Sequence, residues 1–246
     1  MVWGGLGMVI AVLACGPARG GDPPSFFDAL VTVSPGITRE VDLLFDHVRA
    51  SADRLSQTSI RLQYPVMSWL QFSLEMPVAF RDPDSGPSST SAGNLLLAGQ
   101  AIVWMREELA EIDMGLELTL PTGGASVLGG STALRPFATA GRKVGPFDVL
   151  ASASYQWGLD GPASGTDRLQ VTLAIGYPVS FVAPFAELTL LQPVRGVDDH
   201  RPQVAVLPGV EFFLPSDLSL SIGVQLPVGP ARVFDQRLLG FLKWRF

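Results

Sequence analysis

From about residue 38 to the end of the chain, hydrophobic and polar residues alternate one by one. A period of two is the signature of a strand with two unlike faces. The clearest stretch sets Ile112, Met114, Leu116, Leu118 and Leu120 against Asp113, Gly115, Glu117 and Thr119. A second sets Phe147, Val149, Ala151, Ala153, Tyr155 and Trp157 against Asp148, Leu150, Ser152, Ser154 and Gln156. Leu169 to Tyr177 and Leu218 to Leu226 repeat the pattern. Twelve segments follow from it: 38–47, 58–65, 68–79, 94–104, 110–120, 133–142, 147–157, 167–177, 181–191, 201–213, 218–227 and 236–246. Most have the roughly 9–11 residues that cross a bilayer when tilted. Pro136, Pro184 and Pro208 fall inside these segments, and each removes a ladder donor, so bulges or shorter strands are expected there.

The connections alternate in length. Short links are Val66-Met67, Met105 to Ala110, Lys143 to Pro146, Pro178 to Ser180 and Pro215 to Asp217. Long links are 48–57, 80–93, 121–132, 158–166, 192–200 and 228–235, with loop compositions such as Asp82-Pro83-Asp84-Ser85-Gly86-Pro87. Short periplasmic turns and longer extracellular loops are the habit of bacterial outer-membrane barrels. The expected fold is all-β: a transmembrane antiparallel barrel of about twelve strands over residues 38–246, with both termini on the periplasmic side.

A soluble β-sandwich would also alternate, and composition separates the two. Only 16% of residues are charged while 47% are hydrophobic, with mean hydropathy +0.31. The polar faces are small and mostly uncharged, which fits a lumen better than a solvated surface. After residue 15 no apolar run approaches the ~18 residues of a spanning helix. A membrane protein without such helices must be a closed sheet. The formal net charge of −6 supplies no basic patch for nucleic acid. Cys15 is the single cysteine, so a mature chain has neither disulfide nor thiolate metal site.

Residues 1–20 read as a signal peptide: Val2 to Ala14 is mostly apolar, and Ala18-Arg19-Gly20 offers a cleavage site. Val12-Leu13-Ala14-Cys15 offers a rival lipoprotein signal, and the region before the apolar core carries no Lys or Arg. Residues 21–37 form an N-terminal segment. Its apolar part, Phe26-Phe27 to Leu30-Val31, fits a partial plug inside the lumen, a periplasmic tether or an extra strand.

Aromatic residues gather near segment ends: Tyr64, Trp69, Phe80, Trp104, Tyr155, Trp157, Tyr177, Phe213, Trp244 and Phe246. Such rings suit girdles at the headgroup level. The last segment, Leu238 to Phe246, alternates and ends on Phe; with Trp244 and Phe246 it resembles the assembly signal of outer-membrane proteins. Outer-membrane lipid and the barrel-assembly machinery are therefore expected partners, and the outer membrane of a Gram-negative-type bacterium the expected location.

Several short blocks resemble one known family. Glu117 to Gly123 resembles the "E-x-x-L-P-T-G" strand end of the MetA-pathway of phenol degradation family. Pro184-Phe185-Ala186-Glu187-Leu188, Leu207-Pro208-Gly209-Val210 and Ile222 to Val228 resemble later strands of it in the same order. The likeness runs from about residue 57 to the end. It implies an outer-membrane barrel regarded as a transporter for aromatic or other hydrophobic compounds, and it carries no set of transport residues.

If the alternating apolar residues face lipid, their neighbours face inward. Inward candidates are Glu40, Asp42, Glu75, Asp113, Glu117, Glu187 and Glu211, with Arg168, Lys243 and Arg245 as the cations. That inventory makes the lumen mostly acidic. Closure pairs the last strand with the first, which sets Lys243 and Arg245 beside Glu40 and Asp42 in a charge cluster across the seam. Twelve strands lie between filled eight-stranded barrels and open sixteen-stranded porins, so the lumen is narrow.

No catalytic constellation stands out, and no cofactor is called for. His47 precedes Val48-Arg49 and His200 precedes Arg201-Pro202, so neither has the His-x-Ser arrangement of the twelve-stranded phospholipase. Asp198-Asp199-His200 has cation-ligand chemistry, but a solvated loop cluster accounts for it better. No glycine pair opens a helix, so no phosphate cradle is expected. The expected function is a non-enzymatic pore or transporter for a small solute, hydrophobic or aromatic ones included. The alternative is a non-conducting structural or adhesive surface barrel acting through loops 80–93 and 121–132.

Overall fold

The computed structural model describes residues 26–246 except Asp28, Val33, 51–52, 107–108, 124–130, 161–166, 195–200, Pro230 and Val233. The signal-peptide reading, Cys15 and Asp198-Asp199-His200 lie outside the described residues. Thirteen strands form one antiparallel sheet. They are β1 (Glu40–Ala50), β2 (Asp53–Met67), β3 (Leu70–Pro83), β4 (Ser89–Ala92), β5 (Leu95–Arg106), β6 (Ala110–Leu120) and β7 (Ala133–Val144). Next come β8 (Phe147–Gly158), β9 (Arg168–Gly176), β10 (Val182–Pro193), β11 (Gln203–Leu214), β12 (Leu218–Val228) and β13 (Gln236–Arg245).

Each wall strand pairs with its neighbours in sequence, and β1 pairs with β13 from Glu40↔Arg245 to Arg49↔Gln236. The sheet therefore closes on itself, and no wall strand is left with unpaired amides facing lipid. Strands β4 and β5 are two pieces of one wall strand. Both pair with β3, and the register slips by one residue between Val78↔Ala92 and Glu75↔Leu96, at Gly93-Asn94. The result is a closed twelve-strand barrel with one bulged strand.

Two links differ from the expected lengths. β1 runs to Ala50 and β2 begins at Asp53, with Ala50 paired to Asp53, so 48–57 is a tight hairpin rather than a long loop. Likewise β3 continues to Pro83 and β4 starts at Ser89, which trims 80–93 to a short turn. The polar residues there pair as strands because a hairpin can stand out of the bilayer into water, where neither face needs to be apolar. Arg81 bridges Asp53 at 2.6 Å across this extension.

The prolines are accommodated without a register change. Pairing of β7 with β8 lapses between Leu134↔Trp157 and Phe137↔Ser154, at Pro136. Pairing of β11 with β12 lapses between Val206↔Leu226 and Gly209↔Gly223, at Pro208. Pro184 lies just past the last β9–β10 pair, and its carbonyl accepts from the Tyr177 amide at 3.0 Å.

The barrel is apolar outside and polar inside. Ile60, Leu62, Phe72, Met76, Leu173 and Ile175 are all exposed, while Asp42, Glu111, Asp113, Thr172, Glu211 and Ser221 are fully buried. For a soluble protein that arrangement exposes oil to water; in a bilayer the apolar face meets lipid instead. Tyr64, Phe80, Trp104, Trp157, Tyr177, Trp244 and Phe246 are exposed on the outer face. Phe213 is an exception to the girdle, because it packs against the interior cluster described next.

Candidate functional site: the barrel lumen

The interior has an apolar base that the wall alone does not supply. Phe26, Phe27 and Ala29 are buried with Leu150, Ala174, Phe185, Leu207 and Leu239 in one cluster. Phe27 stacks on Phe185 with ring centroids 5.3 Å apart. Room for these rings comes from wall glycines. A Cβ on Gly176 would lie 2.5 Å from the Phe27 ring, and one on Gly141 would lie 2.7 Å from both Phe26 and Pro35. Residues 26–38 thus lie inside the barrel, against inward-facing positions of β6, β7, β9 and β10.

Polar contacts fix the segment as well. The Glu187 carboxylate accepts hydrogen bonds from the amides of Leu30 (2.6 Å), Val31 (3.1 Å) and Thr32 (2.8 Å), and from the Thr32 hydroxyl (2.9 Å). Asp113 accepts from the Gly36 amide at 2.9 Å and from Gln100 at 2.7 Å. Gln71 accepts from the Thr38 amide at 3.0 Å. An irregular segment has amides with no ladder to join, and buried carboxylates supply the acceptors they need.

The closing seam carries charge. Lys243 Nζ lies 3.1 Å from Glu40 Oε1, and Arg245 Nε lies 3.5 Å from Glu40 Oε2. Asp42 stands opposite Lys243 in the register and accepts from Gln63 at 2.9 Å. Nearer the long-loop end the same seam is bridged by Arg237 and Asp46 at 2.7 Å.

Two cavities open above and around the segment, of about 340 Å³ and about 560 Å³. Both are lined by the ion pairs Arg61–Glu75 (2.6 Å) and Arg135–Glu117 (2.5 Å), so they meet at this charged waist. The first also contacts the seam group Glu40, Lys243 and Arg245. The larger reaches Arg168 and Arg237. Arg168 donates to the Gln156 side chain at 2.8 and 3.1 Å.

Of the ten inward candidates, Glu40, Glu75, Glu117, Arg168, Lys243 and Arg245 line these cavities, while Asp113 and Glu187 hold the N-terminal segment. Asp42 is buried at the seam, and Glu211 is buried within the wall's inner face on β11. Sequence reasoning missed Asp46, Arg61, Arg135 and Arg237, and with them the balance of charge. Around the larger cavity stand four arginines and three carboxylates, Asp46, Glu75 and Glu117, so the lumen there is not acidic. The signal was present: Ile60, Leu62 and Tyr64 face outward, which puts Arg61 inward. Glu111, two residues before Asp113 on the same face and fully buried, was missed for the same reason.

One pair on the outer face bears on enzymatic readings. His47 Nδ1 lies 2.8 Å from Ser56 Oγ across β1 and β2. That is a nucleophile-to-base distance. Among the described residues no carboxylate hydrogen-bonds the His47 ring, so the third member that orients the base is missing. Those residues also hold no group of three metal-ligating side chains.

Neither a family model nor a curated protein matches the chain, so the MetA-pathway resemblance is unconfirmed. Solved structures do match. The COG4313 outer membrane channel from Pseudomonas putida F1 aligns with a TM-score of 0.69 at 14% identity, covering 90% of this chain and all of that one. The KdgM porin aligns at 0.59 and 9% identity, covering 83% of this chain and 99% of its own. The NanC porin aligns at 0.58 and 9% identity, over 82% and 97%. The chain is an outer-membrane β-barrel with the fold of channels and porins.

Proposed function

We propose that the protein is a pore or transporter for a small solute, with residues 26–38 acting as a partial plug of its lumen. The observation that carries this reading is the pair of cavities meeting at the Arg61–Glu75 and Arg135–Glu117 waist beside that segment. A barrel serving only as a scaffold for surface loops has no need of an unfilled interior; an interior left open and lined with fixed charge suits a route for solute. The fold by itself decides nothing, because one architecture hosts many activities. The seam ion pairs and the buried Glu187 contacts keep the wall and the plug in place while solute passes. Apolar lining at Leu44, Leu96 and Phe241 beside the charged groups fits a solute with an apolar body.

The test is the purified full-length chain in a planar bilayer. Discrete conductance steps are expected, together with solute passage into vesicles. A barrel that never conducts and passes no solute is the adhesive or structural alternative. The same preparation is expected to release no fatty acid from phospholipid, with or without Ser56→Ala.

A further inference from the structure

Around the larger cavity the charges do not balance one for one. Arg61 is bound by Glu75, Arg135 by Glu117, and Arg237 by Asp46 at 2.6, 2.5 and 2.7 Å. Arg168 is left over. Its guanidinium is exposed to the cavity, and its hydrogen bonds go to a neutral amide, Gln156. The adjacent Asp167 is turned away, accepting from the Gly158 amide at 3.2 Å and the Tyr155 hydroxyl at 3.5 Å. Among the described residues no carboxylate lies within ion-pairing distance of Arg168.

The placement of Arg168 is set by the sheet. Gln156 on β8 is its register partner on β9, and Arg135 lies on the next strand, β7, where that ladder lapses before Pro136. A planar fork held by an amide keeps donors free on its far edge, which suits bidentate capture of a carboxylate. The uncharged lining includes the amides of Gln170, Gln203 and Gln225, the hydroxyl of Thr189, and the hydrocarbon of Leu191, Leu239 and Phe241.

We propose that Arg168 is the anchor of a binding site for a small carboxylic acid with an apolar body. The carboxylate meets the Arg168 fork, and the apolar part lies on Leu191, Leu239 and Phe241. The site deepens the pore reading, and rests on it, by naming the class of solute that the lumen favours.

The test is calorimetric titration of the full-length, detergent-folded barrel with benzoate and, separately, with benzyl alcohol, which has nearly the same shape and no charge. Benzoate is expected to bind at least about tenfold more tightly than the alcohol, and to weaken as salt is raised. Arg168→Gln is expected to weaken benzoate by about tenfold and leave benzyl alcohol unchanged. Arg168→Lys keeps the charge without the fork and is expected to fall between. Heat-modifiable migration on gels confirms that each variant is folded. Equal binding of benzoate and benzyl alcohol, or benzoate binding indifferent to Arg168→Gln, overturns the site. The measurement does not depend on conduction. A conducting barrel that ignores benzoate loses this inference alone. Arg168-dependent binding to a barrel that never conducts supports the site and removes the pore.

Discussion

Single carboxylates do most of the fixing inside this barrel, and Glu187 is the clearest case. It is buried and accepts four hydrogen bonds from three consecutive residues of the N-terminal segment. Glu187→Ala leaves those amides without acceptors, at a cost of about 2 kcal/mol or more. The expected outcome is a larger conductance step and a lower midpoint for the heat-modifiable gel shift; an unchanged step would show that the segment does not restrict the lumen. Lys243 is equally consequential. Its ammonium and the Glu40 carboxylate are both nearly buried, so Lys243→Glu places a third carboxylate beside Glu40 and Asp42. Loss of about 3 kcal/mol or more is expected, seen as slower assembly or a lower heat-modifiable midpoint. Wild-type behaviour of that variant contradicts the seam. The seam was legible from sequence because closure must join first strand to last, and counting back from Phe246 by twos gives Trp244 and Leu242 on the outer face, which leaves Arg245 and Lys243 between them on the inner one. The arginine-rich half was not legible in the same way. Arg135 and Arg237 sit where alternation is broken by Pro136 or runs into a strand end, whereas Arg61 lies in the clean alternation of Ile60, Leu62 and Tyr64 and could have been read inward. Glu187 announced a charge inside the barrel, but nothing local says that its partners are backbone amides some 155 residues earlier.

At the scale of elements, strand existence followed from periodicity, and strand ends did not. The alternation reports which face meets lipid. It falls silent where a hairpin stands in water, as in β1 and β2 near Ala50 and Asp53 and in β3 beyond Phe80. The prolines show the opposite limit. A missing amide interrupts one ladder at Pro136 and one at Pro208, and the remaining pairs hold the register through it. The inner glycines carry information of another kind. Gly176 and Gly141 are spaces for Phe27 and Phe26, and a methyl group there meets ring atoms at 2.5 and 2.7 Å. Gly176→Ala is expected to push Phe27 out of its place and cost about 1–3 kcal/mol, visible as a lower heat-modifiable midpoint with the β-sheet circular dichroism retained. The same substitution in a chain that also carries Phe27→Ala should restore most of the loss. If it does not, the ring and the glycine are not in contact.

For the whole molecule, the inverted distribution of polarity and the closed pairing from β1 to β13 belong together. A ring of twelve strands satisfies its own backbone, shows oil to lipid and keeps fixed charge within. Twelve strands leave a lumen too wide for wall side chains to fill and too narrow to pass much past an added segment. Residues 26–38 sit in that space and line both cavities of the proposed route. The central claim is that this barrel conducts and that the segment restricts it. Single-channel recording in a planar bilayer, comparing the full-length chain with a chain lacking residues 26–37, tests it most directly. The account predicts discrete steps from both, with the shortened chain conducting severalfold more. Equal steps would contradict the plug, and silence from both chains, each shown to be folded by heat-modifiable migration, would contradict the pore.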